Sequence, residues 1–240
     1  MARCLKKILK HKKEVKMKSF NLKSITAIIL ISFLFIKCSE SLSSEPLSEP
    51  ILRNNTGANL QIDLSSFPFE SVSDVEKEGL IFMREEEKLA RDIYAEMNSI
   101  YNVRIFQNIA GSEQTHMNSV KALLDKYSIE DPVLEDVRGI FVNAELQSLY
   151  QELLAQGKTS FTEALKVGAI IEEVDIIDLI EELSNAAVDN QDIRFVYNNL
   201  LKGSANHLRA FVKNLSANGI NYTPQYLSAD LYEKIIEGQL

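Results

Sequence analysis

The chain has 240 residues, 45% hydrophobic and 25% charged, which suits one globular body with appendages. Its net charge of −8 conceals a division: residues 1–37 hold ten of the 26 Lys/Arg and one of the 34 acidic residues, so residues 38–240 carry −17. An acidic body of that kind excludes nucleic acid as a partner, because phosphate backbones are held by clustered Lys and Arg.

The first segment reads as an export address. A Lys-rich stretch over 1–23 precedes twelve largely apolar residues, 25–36, too few for a membrane-spanning helix, which needs about 20, and suited to a signal-peptide core. Met17 is an alternative start, since Lys18 and Lys23 alone supply a charged lead. Leu34-Phe35-Ile36-Lys37-Cys38 resembles a lipoprotein cleavage box, although Lys37 stands where a small residue is usual. Residues 1–37 are therefore expected to be a lipoprotein-type signal peptide, with Cys38 the lipidated first residue of a cell-envelope protein. An uncleaved anchor is the alternative. Only Cys4 and Cys38 occur, so the mature body has no thiolate ligands and no intrachain disulfide. Residues 38–73 are expected to form a flexible tether; 39–50 are rich in Ser, Glu and Pro, whereas 51–70 have a mixed composition that assigns to no element.

Four long amphipathic helices are predicted in the body, residues 74–240. The first, about 75–100, gathers Phe82, Glu86, Leu89, Ala90, Ile93 and Met97 on one stripe. Of three consecutive glutamates only Glu86 falls centrally on it, with Glu87 the second choice; Arg91 and Asp92 are expected to face water. A short link near 101–102 makes the second helix, about 103–127, its antiparallel neighbour. Phe106, Ile109, Ala110, Met117, Val120 and Leu124 repeat along one side there, and Glu113 and His116 fall inside that stripe. A long connection, 128–158, contains Asp131-Pro132 as a helix breaker and a short packing helix at about 143–155.

The third long helix, about 160–183, places Glu172 among Leu165, Ala169, Ile176 and Leu179, with Asp175 three residues on. Glu173 occupies an adjacent stripe and is a substitute. The fourth, about 191–217, aligns Ile193, Val196, Leu200, Ser204, His207, Leu208, Phe211 and Leu215, and Asn218-Gly219 ends it. A short helix near 229–237 closes the chain. Two antiparallel pairs joined by one long crossover between the second and third long helices is the wiring of ferritin-like four-helix bundles. The fold class expected is thus all-α.

Carboxylates on three helices and histidines on two share these apolar stripes. Bare buried charge is costly, so the groups need a neutralising partner. Oxygen and imidazole donors without thiolate suit iron or manganese, with zinc admissible. The candidate metal ligands are Glu86, Glu113, His116, Glu172, Asp175 and His207.

Four ordered motifs, at 83–92 around Glu86, at Ser112-Glu113-Gln114-Thr115-His116-Met117, at 168–176 around Glu172, and at 203–211 around His207, resemble the family known as domain of unknown function 2202. The resemblance covers about residues 74–237 and implies a ferritin-like bundle akin to rubrerythrin, with no established reaction. A di-metal site of that type takes a Glu from each of two helices and Glu-x-x-His from each of the others. Glu86 and Glu172 match the single glutamates, Glu113 and His116 the first pair, and His207 the final His. Ser204 departs from the pattern, standing where the last Glu is expected, and Asp175 is the candidate to replace that carboxylate. The function expected is a di-iron (or iron–manganese) oxidoreductase acting with dioxygen or peroxide and drawing on an external electron donor. Tyr94, Tyr150 and Tyr197 are candidate neighbours, and a homodimer is a candidate assembly. The alternative is a non-catalytic surface lipoprotein using the bundle as a binding scaffold; iron storage is a weaker third.

Overall fold

The computed structural model describes residues 64–240. The expected signal peptide, Cys38 and most of the tether lie outside the described residues. Six helices among the described residues make up an all-α helical bundle: α1 Asp74–Tyr101, α2 Arg104–Lys126, α3 Ala144–Gly157, α4 Phe161–Ser184, α5 Gln191–Ala217 and α6 Ala229–Ile236. No strand occurs among the described residues.

Local chemistry sets the helix ends. Ser73 and Glu76 form a reciprocal capping box, the Glu76 amide donating to Ser73 Oγ at 3.2 Å and the Ser73 amide to Glu76 Oε2 at 2.9 Å. Asn102, left-handed at φ 53°, stops α1 by returning its N–H to Asn98 O. Two residues then suffice to turn the chain into α2. Asn143, Ser160 and Ser228 cap α3, α4 and α6 through side-chain oxygens. The most extensive helix contacts are α1 with α2 and α4 with α5.

Along every long helix the core has three layers. Near one end Ile93, Met97, Phe106, Leu165 and Phe211 pack together. Near the other, Leu80, Met83, Val120, Leu124, Leu179, Val196 and Leu200 do so. Between them each helix contributes polar side chains: Glu86 and Glu87, Glu113 and His116, Glu172 and Asp175, Ser204 and His207, all buried. Each apolar side chain withdrawn from water contributes roughly 1.5–3 kcal/mol, which offsets the cost of the polar layer.

The crossover between α2 and α4 is held by the charged run of α1. Arg84 pairs with Asp131 at 3.1 Å and donates to Met117 O. Glu85 accepts the amides of Val142 and Asn143. Lys88, fully buried, binds Asp92 at 2.6 Å, donates to Val137 O and sits over the Phe141 ring. Asp92 also takes the Gly139 amide, while Arg91 binds Asp92, Asp136 and Gln114. Arg91 and Asp92 therefore do not face water as expected. A long connection must satisfy its backbone somewhere, and here buried α1 side chains do it.

Residues 64–73, expected as the end of a tether, instead lie against the bundle. Leu64 is buried, Phe67 packs on Phe195, Phe69 on Tyr127, and Lys126 donates to Pro68 O. Leu64 and Phe67 find cover there, which composition alone did not indicate, while Phe69 stays largely exposed.

Candidate metal centre

Glu113 stands at the middle of the polar layer. Ligand-type atoms of Glu87, Glu113 and His116 all lie within 4.8 Å of one another, and so do those of Glu113, Glu172 and His207. The two triads share Glu113, whose Oε2 is 2.8 Å from His116 Nδ1 and whose Oε1 is 2.8 Å from His207 Nδ1. His116 Nδ1 also meets Glu87 Oε2 at 3.2 Å, and His207 Nδ1 meets Glu172 Oε2 at 3.5 Å. The imidazoles stack with centroids 5.5 Å apart. Helices α1, α2, α4 and α5 each place a donor at one interior point.

The donor orientation is informative. His207 Nδ1 and Glu113 Oε1 are close, yet neither has a hydrogen-bond partner of proper geometry. A 2.8 Å approach that is not a hydrogen bond leaves both atoms available to a third partner. Glu87 Oε1 and Asp175 Oδ1 are likewise buried without partners. Orphaned acceptors at this density are costly in a dry interior, and a cation is what removes that cost. A cavity of about 20 Å³ adjoins them, lined by the carboxylates Glu86, Glu87, Glu113, Glu172 and Asp175 together with Leu146, Leu149 and Leu153 of α3. The residues present thus fit a metal centre.

Outer contacts fix the donors. His207 Nε2 hydrogen-bonds with Ser112 Oγ at 2.9 Å, leaving Nδ1 for the centre. Tyr94 donates to Glu172 Oε1. Gly203 is required by His116: a Cβ there would lie 2.5 Å from Nε2 and 2.6 Å from Cε1 of the ring.

Charge is shared among protons while the donors face one another. Burial pushes Glu87 up to about 7 against the pull of His116. Burial also lifts Glu172, with the Glu113 charge adding to it, and lifts Asp175, with the charges of Glu87 and Glu172 adding. Burial would raise Glu113 as well, but the charges of His207 and His116 hold it below the usual carboxylate range. Burial lowers the imidazoles, and the glutamates beside them reverse this. His207 reaches about 10 through Glu113 and Glu172, and His116 rises through Glu87 and Glu113. Two cationic rings flanking one carboxylate occupy the electrostatic position of two metal ions.

Of the expected ligands, Glu113, His116, Glu172 and His207 converge. Glu86 does not join the triads, and Glu87, the second choice, does. The hydrophobic stripe could not separate them because α1 is buried around its whole circumference from Phe82 to Ala90, so Glu87 faces α2 while Glu86 turns toward Asp178 of α4. Asp175 sits at the cavity wall outside both triads and hydrogen-bonds with Ser204. Glu173, the substitute, works elsewhere. It accepts from Tyr222 Oη and the amides of Gln225, Tyr226 and Leu227, fastening the C-terminal loop. Tyr94 touches the centre, whereas Tyr150 packs on Phe141 beneath Gly139. Sequence reasoning missed Ser112 and Gly203. A glycine in mid-helix four residues before His207 was the one available signal for the latter.

Fold and geometry together define an all-α helical bundle with a buried carboxylate–imidazole cluster able to hold metal. The chain belongs to the family described as an uncharacterized protein domain, DUF2202, which matches residues 76–239. It is 54% identical over 173 residues to the uncharacterized protein MJ0754 of Methanocaldococcus jannaschii, a match covering 72% of this chain and 92% of that protein. The crystal structure of hypothetical protein MJ0754 from Methanococcus jannaschii aligns with a TM-score of 0.70 at 54% identity, over 72% of this chain and 97% of the other.

Proposed function

We propose that this protein is a ferritin-like, rubrerythrin-related bundle whose centre binds two divalent metal ions, iron or iron with manganese, and acts as an oxidoreductase on dioxygen or peroxide. The observation that carries this reading is the sharing of Glu113 between two donor triads, each completed by one further glutamate and one histidine. Glu87 and His116 would hold one ion, Glu172 and His207 the other, and Glu113 would lie between them. Bound iron supplies electrons and Lewis acidity.

The chain's own residues supply the remainder. Ser112 and Tyr94 orient His207 and Glu172. The two apolar layers exclude water from the centre. Without metal, burial pushes Glu87 up to about 7, so binding an ion there displaces its proton near neutral pH. Cys4 and Cys38 are the only cysteines, so no thiolate-bound redox partner is carried in the body and the reductant comes from another molecule.

In this reading the protein is exported and tethered by lipid at Cys38, which the leader and its cleavage box support. Among the described residues no helix is long and apolar enough to cross a membrane. Incorporation of labelled fatty acid that vanishes in Cys38→Ala tests the anchor.

Anaerobic titration with Fe(II) tests the centre. Two equivalents per chain are expected, with a change in near-ultraviolet absorption on admitting oxygen, and Glu113→Gln abolishes both. Uptake of no metal by the folded protein overturns the reading in favour of a non-catalytic binding scaffold.

A further inference from the structure

Outside the metal centre, the buried carboxylates among the described residues fall into two groups. Glu76, Glu85, Asp92, Glu173 and Asp192 each collect two or more donors from backbone or side chains. Glu86, Asp178 and Glu182 do not. Beyond the contact of Glu86 and Asp178 with each other, no donor reaches either oxygen of Asp178, Glu86 Oε2 or Glu182 Oε2, although these residues are at most 6% exposed. The Tyr197 hydroxyl, wholly buried, is also without a partner. Burial raises that hydroxyl's pKa, and the charges of Glu182, Glu76 and Glu86 raise it further, which places it among them. Unsatisfied buried polar groups in a native fold call for an explanation, and a mobile ion or water is the usual one.

These groups form a row. Asp175, Asp178 and Glu182 recur at three- and four-residue steps along one face of α4, a rise of about 10 Å from first to last. Glu86 of α1 lies against the middle, beside Asp178 and Asp175. The inner end is Asp175, on the wall of the metal centre's cavity. The outer end is the last turn of α4, which carries no basic residue. Carboxylates there oppose the helix dipole, so they are retained at a cost to stability.

The end of the bundle they reach is acidic. Ser73 Oγ donates to Ala187 O and Glu76 accepts the Asp189 and Asn190 amides, so the start of α1 adjoins the α4–α5 turn. Asp74, Glu78 and Asp189 are exposed there, with Lys77 the basic residue in that first turn of α1. The neighbouring guanidinium of Arg194 is bound to the carbonyls of Leu183 and Val188. An acidic rim leading to a row of oxygens suits divalent cations, which take oxygen ligands and are drawn by negative potential.

We propose that Glu182, Asp178 and Glu86 are the route by which divalent metal ions reach the centre, an all-oxygen path of transient ligands distinct from the resident donors. This rests on the metal-binding reading of the Glu113 centre.

Stopped-flow uptake of Co(II) by the full chain tests it. Asp178→Asn combined with Glu182→Gln is expected to slow uptake at least tenfold while leaving the final stoichiometry at the parental value. Glu163→Gln, at the opposite end of the same helix and paired with Lys166, leaves the rate unchanged. The metal-free double variant melts at or above the parental temperature, because like charges have been removed, and this separates slow uptake from misfolding. A parental uptake rate in the folded double variant overturns the route. A lowered stoichiometry also overturns it, since the row would then belong to the centre itself. A parent chain that takes up no Co(II) removes the metal-binding reading and the route together.

Discussion

Gly203→Ala separates the demands of the helix from those of the centre. In mid-helix an alanine in place of glycine stabilises by about 1 kcal/mol. At this position the new Cβ would sit 2.5 Å from His116 Nε2, whereas ordinary contact begins at 3.4 Å. The ring must therefore retreat by about 0.9 Å. His116 Nδ1 now lies 2.8 Å from Glu113 and 3.2 Å from Glu87, and functional constellations tolerate only about 0.5 Å of error. The propensity gain is opposed by an overpacking cost of about 1–3 kcal/mol. Metal affinity at the His116 half should fall at least about tenfold, the scale on which misplaced ligands act. Gly111→Ala is the control: it is also helical and exposed, with nothing within 4 Å of the new Cβ. It should raise stability by about 1 kcal/mol, or the melting temperature by about 2–4 °C, with metal binding untouched. Calorimetric titration and thermal melts of both variants decide the matter. Parental affinity together with a raised melting temperature in Gly203→Ala would refute the placement of His116.

Two further outcomes follow from the buried charges. Metal-free protein should lose stability as pH rises, because Glu87 and Asp178, both lifted to about 7, bind protons more tightly folded than unfolded. Their contribution is complete below the unfolded carboxyl range and gone above about pH 7, and that of His207 disappears between about 6.5 and 10. Unfolding free energies from urea titrations at pH 5.5 and 8 should differ in favour of the lower pH, by about 2 kcal/mol for each of these groups, and the sign should reverse with metal bound, since the ions displace those protons. A flat or rising metal-free profile contradicts the assignment. Separately, Glu173→Gln presents an amide to backbone donors that now share a carboxylate, and should destabilise by about 3 kcal/mol. Amide exchange at Tyr226 and Leu227 should accelerate while metal uptake stays at the parental level; unchanged protection there would show that the loop is held by other contacts.

The helices were legible in the amino-acid sequence. Their periodicity, capping residues and breakers are local properties, so the expected 191–217 is α5 to the residue and the other long helices differ by a residue or so at their ends. The inward facing of Glu113, His116, Glu172 and His207 was legible too, because each interrupts an otherwise apolar stripe. Packing alone gave Glu86 and Glu87 their different neighbours, Asp178 for one and His116 for the other, since a helix enclosed on every side has no stripe to read. The same holds for Glu173, Arg91 and Asp92, whose partners lie on loops distant in the chain. That Ser112 steadies His207, and that Gly203 makes room for His116, are facts about the approach of two packed helices. Spacing along one chain segment carries no record of such distances.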